Sequence, residues 1–319
     1  MESGFEHNSR WNEQSLLGAS IAVTLLVAVV GVLFGFISGS LAIAFDAVYS
    51  LIDASMSVLA LFVSRLIVAS VQEGKLSRRL QNRFTMGFWH LEPIVLGLNG
   101  TILLAIAVYA LINAVTSLLD GGNELVFDEA ILYALFATLV CMAMAVVEHL
   151  LNRRIRSDFV ALDVRSWFMA GCISAALLLA FCIGLAVQGT AYAWTASYVD
   201  PFTLALVCLF IIPMPIGTIR QAFAEILLVT PQDLKTHVDG VAAQVMERYG
   251  FQDYRAYVAK VGRVRQVELW FVAPAHLPAR TLEEWDAIRA EIGVAIGPGE
   301  EGQDRWLTIS FTADPDWAQ

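Results

Sequence analysis

The sequence predicts a multi-span α-helical membrane protein with six transmembrane helices and a C-terminal, water-soluble α+β domain. Three observations predict it. Six apolar stretches are each long enough for the roughly 20 residues a helix needs to cross a bilayer core. The 319 residues are 57% hydrophobic and 16% charged, with a mean hydropathy of +0.64. Soluble domains sit nearer 45–50% apolar and about 25% charged. Charge is also uneven: residues 223–319 hold 9 Lys/Arg and 15 Asp/Glu, so 24 of 50 charged side chains lie in the last 97 residues. These features exclude a simple soluble enzyme, a disordered chain and a fibrous one. A net charge of −10 argues against a nucleic-acid partner, which calls for a basic face.

The spans read, in order, Leu16–Ile37, Leu41–Val68, His90–Leu118, Glu129–Leu151, Phe159–Gln188 and Val199–Arg220. The second and fifth contain acidic residues yet stay apolar enough to span. Lys75, Arg78, Arg79 and Arg83 lie between spans two and three, and Arg153, Arg154 and Arg156 between spans four and five. The links near Gly39, Asp120–Phe127 and Gly189–Tyr198 carry no Lys or Arg. The positive-inside rule puts the basic links in the cytoplasm. An even number of spans then puts both termini there. Met1–Gln14 is polar and acid-rich, without the basic start and short apolar core of a signal peptide. The expected division is a cytosolic tail (1–14), a transmembrane domain (15–222) and a cytosolic domain (223–319). Cys141, Cys172, Cys182 and Cys208 all fall in apolar runs with no CxxC pair, which reads as buried free thiols.

The C-terminal part predicts the order αββαβ. Leu234, Val238, Val241, Val245 and Met246 recur at helical spacing within Gln232–Tyr249. Arg255–Val261 and Arg265–Val272 alternate as strands around Gly262, a hairpin. Thr281 with Glu284 three residues on forms a capping-box pattern opening a helix over Thr281–Ile292. Trp306–Thr312 reads as the last strand. Such a domain buries a thin core, and pairing with a second copy would enlarge it.

Ionisable groups inside a span are expensive and mark function by default. The run FDAVYSLID places Asp46, Tyr49 and Asp53 on one helix face, and LDVRSWFMAG places Asp163, Ser166 and Ala170 with the same spacing. Two such stripes suggest a shared seam. The plainer reading pairs these carboxylates with Arg165 or with helix caps.

These runs resemble the cation diffusion facilitators, also called the cation efflux family. The likeness extends over SGSLAIAFDAVYSLID in the second span, FTMGFWHLEP entering the third, DVRSWFMAG in the fifth, YVDP entering the sixth and AEILLVTP leaving it. The resemblance implies a dimeric six-span transporter that exports divalent metal in exchange for protons and carries a cytosolic ferredoxin-like αββαβ domain. It implies a transport site at Tyr49, Asp53, Ser166 and Ala170. The family usually has His or Asp there, and only Asp53 is a strong ligand. Zinc favours His nitrogen and Cys sulfur, so this chain departs from a conventional zinc site. Phe88 stands where the family's loop usually has His, although Glu92 is kept, which argues against a second, peripheral metal site.

Antiparallel spans set Asp53 near the level of Ser166 and Tyr49 near Ala170. Asp163 lies one turn deeper, about 4.5 Å at roughly 1.5 Å per residue, and Asp46 lies nearer the outside. Oxygens of Asp53, Asp163, Ser166 and Tyr49, completed by water, would form a site suited to Mn²⁺, Fe²⁺ or Mg²⁺ rather than Zn²⁺. Asp46 and Asp163 are too far apart in depth to share one ion. No permanently bound cofactor is expected; the divalent cation and protons are cargo.

Glu148 and His149 read as a solvated end of the fourth span or as a relay at the cytosolic mouth. His237, Asp239 and His276 read as plain surface or as regulatory metal ligands. Glu225 reads as a hinge or interface residue, His7 as part of a mobile tail, and Asn99, Asn113, Gly97 and Gly100 as helix-packing residues. Two functions stay open. One is a homodimeric metal/proton antiporter. The other is a transport-inactive relative that stabilises an active exporter. No GxSxG or HExxH pattern supports an enzyme.

Overall fold

The computed structural model describes the backbone of residues 2–71, 82–155, 158–297 and 304–318. The elements are α1 (Glu2–Ser38), α2 (Leu41–Val71), α3 (Leu91–Leu119), α4 (Phe127–Ile155), α5 (Asp158–Val187), a 3-10 segment (Ala193–Tyr198), α6 (Val199–Ile211), α7 (Pro213–Ile226), α8 (Gln232–Tyr249), β1 (Asp253–Val261), β2 (Val264–Val272), α9 (Leu282–Ile296), β3 (Asp304–Thr312) and a closing 3-10 turn (Pro315–Ala318). Among the described residues, six helical segments are long and apolar enough to cross a membrane. Lys75, Arg78, Arg79 and Arg156, on which the orientation argument draws, lie outside the described residues.

Two expectations about the spans change. The polar residues ahead of the first span continue it as helix from Glu2 instead of forming a mobile tail. The sixth span is two helices, α6 and α7, separated at Ile212. Pro213 has no amide to donate and its ring crowds the preceding turn, so α6 ends and a new helix starts on the proline. The Ile212 amide still reaches the Cys208 carbonyl at 2.9 Å, which closes α6 cleanly.

Packing divides the chain into two compact units, residues 1–59 with 99–217 and residues 60–98 with 218–319. In the first unit α4 and α5 pack along their length as a hairpin, and α1 lies against α4. Its core draws on Ala107, Ala110 and Ala114 of α3, Ala130, Ala134 and Ala137 of α4, and larger groups such as Ile43, Phe181 and Leu204. Lipid offers no hydrophobic drive between helices, so small residues that permit close approach do the packing. Gly31 and Gly35 carry this between α1 and α2. A Cβ on Gly35 would lie 2.9 Å from the Ala44 Cα, and one on Gly31 would lie 2.8 Å from the Ala47 Cβ. The outward faces stay apolar and bare, as at Phe36 and Phe210.

Asp200, in the YVDP run, organises the start of α2. Its side chain is fully buried. It accepts the Ser40 hydroxyl at 2.5 Å, the Leu41 amide at 2.8 Å and the Ala42 amide at 3.3 Å. Ser40 in turn takes the Ile43 amide at 3.1 Å. The free amides of the first turn of α2 thus find a carboxylate from α6, which also suits the positive end of the helix dipole.

In the second unit the C-terminal domain follows the αββαβ order, a small three-stranded mixed sheet with helices, in keeping with a ferredoxin-like fold. The sheet order is β1-β2-β3. β1 and β2 pair antiparallel from Asp253↔Val272 to Val261↔Val264, and β2 and β3 pair parallel from Val264↔Asp304 to Val272↔Thr312. Gly262 takes φ 57° at the hairpin turn, where a side chain would be strained. Val238, Val241, Ala242 and Val245 of α8 and Ile288, Ile292 and Ile296 of α9 form one core with Val267, Leu269 and Phe271 of β2. Helical spacing on one layer and alternation on the other bring these apolar faces together. Thr281 and Glu284 make the expected capping box.

The same unit ties that domain to helix ends. Glu225 of α7 accepts the Gly262 amide at 3.0 Å and pairs with Lys260 at 3.2 Å. Glu92 of α3 pairs with Arg263 at 3.1 Å. Trp89 meets Trp306 edge to face at 5.5 Å. Glu225 therefore makes the interface contacts that its position after the sixth span allows.

Candidate metal-binding site within the membrane helices

The five residues expected to hold metal fall into different surroundings. Asp53 is exposed on α2, and the Asn99 side-chain amide of α3 approaches its Oδ1 at a long 3.5 Å. Asn99 Oδ1 is buried with no hydrogen-bond partner. Asn99 is thus more than a packing residue: it sets a polar group beside Asp53 and has an oxygen to spare. Tyr49 is half-buried against the core, its ring 5.6 Å from Phe45. Ser166 is exposed on α5. Ala170 packs with Cys141, Ala145 and Trp167.

Asp46 is half-buried and faces α4, where its charge acts on Tyr133 and Cys141. The Tyr133 hydroxyl is buried without a partner beside Gly31, whose lack of a side chain makes the room. Asp163 is half-buried near the start of α5, and its acidic neighbour is Glu148 of α4. Glu148 is 0% exposed, so it is not the solvated helix end that sequence position suggests. Among the described residues, no group of three or more His, Cys, Asp or Glu side chains stands close enough to hold a metal ion.

Sequence reasoning places the metal site on α2 and α5, names Glu148 of α4 only as a solvated end or a relay, and does not connect Tyr133 and Cys141 of α4 with it. Tyr133, Cys141 and Glu148 are eight and seven residues apart, a spacing that returns to one helix face. That periodicity was readable in the sequence. Nothing in it said that the face turns inward.

Elsewhere several candidate ligands are engaged. Glu92 is paired with Arg263, and Phe88 is buried with its ring 4.7 Å from Phe84. Asp239 pairs with Lys235 at 2.5 Å, and His237 meets the Ile296 carbonyl at 3.2 Å. His149 and His276 are exposed. The four thiols are free, but Cys172 and Cys182 are exposed while Cys141 and Cys208 are buried. Burial was expected for all four; two instead lie on outward faces of α5 that are themselves apolar.

Among the described residues, six membrane-length helical segments with carboxylates inside them, followed by a small mixed-sheet domain, suit a cation transporter. Residues 17–227 match the cation efflux transmembrane domain, more than half of the chain, and the protein belongs to that family. No curated protein gives a significant match. Members of the family are transporters whose metal cations are cargo rather than resident cofactors.

Proposed function

We propose that this protein exports a divalent cation in exchange for protons across the cytoplasmic membrane, as a homodimer with both termini in the cytoplasm. The observation that carries the reading is the donor set. Asp53 has Asn99 as its polar neighbour, and Tyr49, Ser166 and Ala170 stand at the other family positions. Oxygen without imidazole or thiolate favours Mn²⁺ or Fe²⁺ over Zn²⁺. A carboxylate that holds metal when ionised and a proton otherwise couples the two fluxes without another energy source. The portion before about residue 222 carries the ion, and the portion after it pairs copies and regulates them.

The experiment is transport by the purified protein in liposomes under an imposed pH gradient, with Mn²⁺, Fe²⁺ and Zn²⁺ compared. Asp53→Asn keeps size and removes the titrating charge, so it abolishes metal-dependent proton flux and leaves assembly intact. Asp46→Asn, nearer the outer end of α2, does less. Zinc transport with no response to manganese or iron refutes the oxygen site.

A second reading is a transport-inactive family member that stabilises an active exporter. The absence, among the described residues, of any group of three ligating side chains favours it. It requires the liposome assay to stay silent for every metal.

A further inference from the structure

We propose that Glu148 of α4 and Asp163 of α5, with the hydroxyl of Ser20 on α1, form a divalent-cation site separate from Asp53. The site lies in the α4–α5 hairpin. Glu148 is seven residues before the end of α4 and Asp163 five after the start of α5, so close packing of the two helices brings them level. Glu148 is fully buried, and no hydrogen bond of good geometry from the described residues reaches either of its carboxylate oxygens, so the polar groups around it stand near without satisfying it. Its neighbours are the Asp163 carboxylate, the Ser20 hydroxyl and Trp167.

Asp163 and Ser20 present oxygen to Glu148, and no cationic side chain stands among its described neighbours. The Trp167 indole N–H is committed to Ser20 Oγ at 2.8 Å, and Ser20 is itself buried. That bond holds the hydroxyl oxygen in place between α1 and α5. Among the described residues, no Lys, Arg or His forms an ion pair with Glu148 or Asp163. Two carboxylates side by side in a dry setting repel, and each oxygen left unpaired carries its full desolvation cost. A divalent cation removes both penalties at once. Carboxylate and hydroxyl oxygens suit a hard ion such as Mn²⁺ or Mg²⁺ and disfavour Zn²⁺.

The site is distinct from the family positions. Asp163 is seven residues from Ala170, roughly 10 Å along α5. Ala170 itself packs into an apolar cluster with Cys141 and Trp167. The Glu148 site does not require that Asp53 carry the transported ion, and a chain inactive in transport would still bind there.

The test is equilibrium binding of Mn²⁺ to the purified full-length protein, counted by electron paramagnetic resonance of the free ion. Asp53→Asn is expected to retain one Mn²⁺ per chain at this site. Glu148→Gln preserves shape and removes a buried charge, and it should weaken that binding at least tenfold. Asp163→Asn should do the same, and Ser20→Ala should weaken it by a smaller factor. Bound Mn²⁺ should quench the Trp167 fluorescence of the unmodified protein, so Trp167→Phe removes most of the quenching. That readout stands even where a carboxylate variant fails to fold. No Mn²⁺ binding, loss of all binding in Asp53→Asn, or unchanged affinity in Glu148→Gln overturns the proposal.

Discussion

Replacing Asp200 by alanine tests how the start of α2 is built, because three donors converge on one buried carboxylate. The Ser40 hydroxyl at 2.5 Å and the Leu41 amide at 2.8 Å make strong contacts, while the Ala42 amide at 3.3 Å is weak. Hydrogen bonds to charged groups are worth about 1.5–3 kcal/mol each, so the two strong ones together suggest about 3–6 kcal/mol. Ser40 still receives the Ile43 amide at 3.1 Å, which keeps part of the cap and favours the lower end of that range. Asp200→Asn retains one acceptor oxygen and should lose about half as much, roughly 2 kcal/mol. Reversible unfolding in mixed micelles measures both variants. A double-mutant cycle with Ser40→Ala isolates the shortest contact and should give a coupling of at least about 0.5 kcal/mol. A loss below about 1 kcal/mol for Asp200→Ala, the size of an ordinary exposed cap, refutes the reasoning. So does strict additivity with Ser40→Ala.

Three further outcomes follow from the packing. Gly35→Val pushes against the Ala44 backbone and should destabilise the protein by about 1–3 kcal/mol, because backbone yields less readily than a side-chain end; thermal unfolding in detergent reads it, and an unchanged midpoint would show that α1 and α2 are not held this closely. Leu228 adopts φ 56° where α7 ends, so Leu228→Gly should relieve strain and raise stability by about 1 kcal/mol, against the usual sense of a glycine substitution. Glu291 has its carboxyl held below the usual glutamate range, first by the Tyr249 hydroxyl at 2.5 Å and then by Arg248. A depressed value adds stability above the ordinary glutamate pKa and loses it as pH falls through the folded one. Glu291→Gln should therefore flatten the acid dependence of hydrogen exchange in α8 and α9. An unchanged slope below about pH 4 would assign that dependence to other carboxylates.

Much of this architecture was legible residue by residue. Apolar length set the spans, because lipid leaves a crossing chain no option but helix. The C-terminal domain was equally plain: Thr281 and Glu284 announced a helix start, Gly262 a hairpin, and α8 was readable from its apolar spacing alone. All of these are local signals, carried by neighbours within a few residues of one another. The break after Ile211 was also within reach, since Pro213 and Pro215 stand inside the sixth span.

Tertiary structure decided what lies across from what. Periodicity shows that Asp46 and Asp53 share a face of α2, but not that Asp46 looks at Tyr133 and Cys141 while Asp53 meets Asn99. In lipid nearly every face of a span is apolar, so hydrophobic patterning no longer tells inside from outside. That is why position alone left Glu148, seven residues from a helix end, between a solvated end and a relay, and only packing shows it fully buried. The partners of Asp200 are some 160 residues away in sequence, and those of Glu225 and Glu92 lie in a hairpin formed much later in the chain. The azimuth of each helix and the depth at which two helices cross are set by small-residue contacts such as Gly35 against Ala44. Those contacts exist only once both helices are in place.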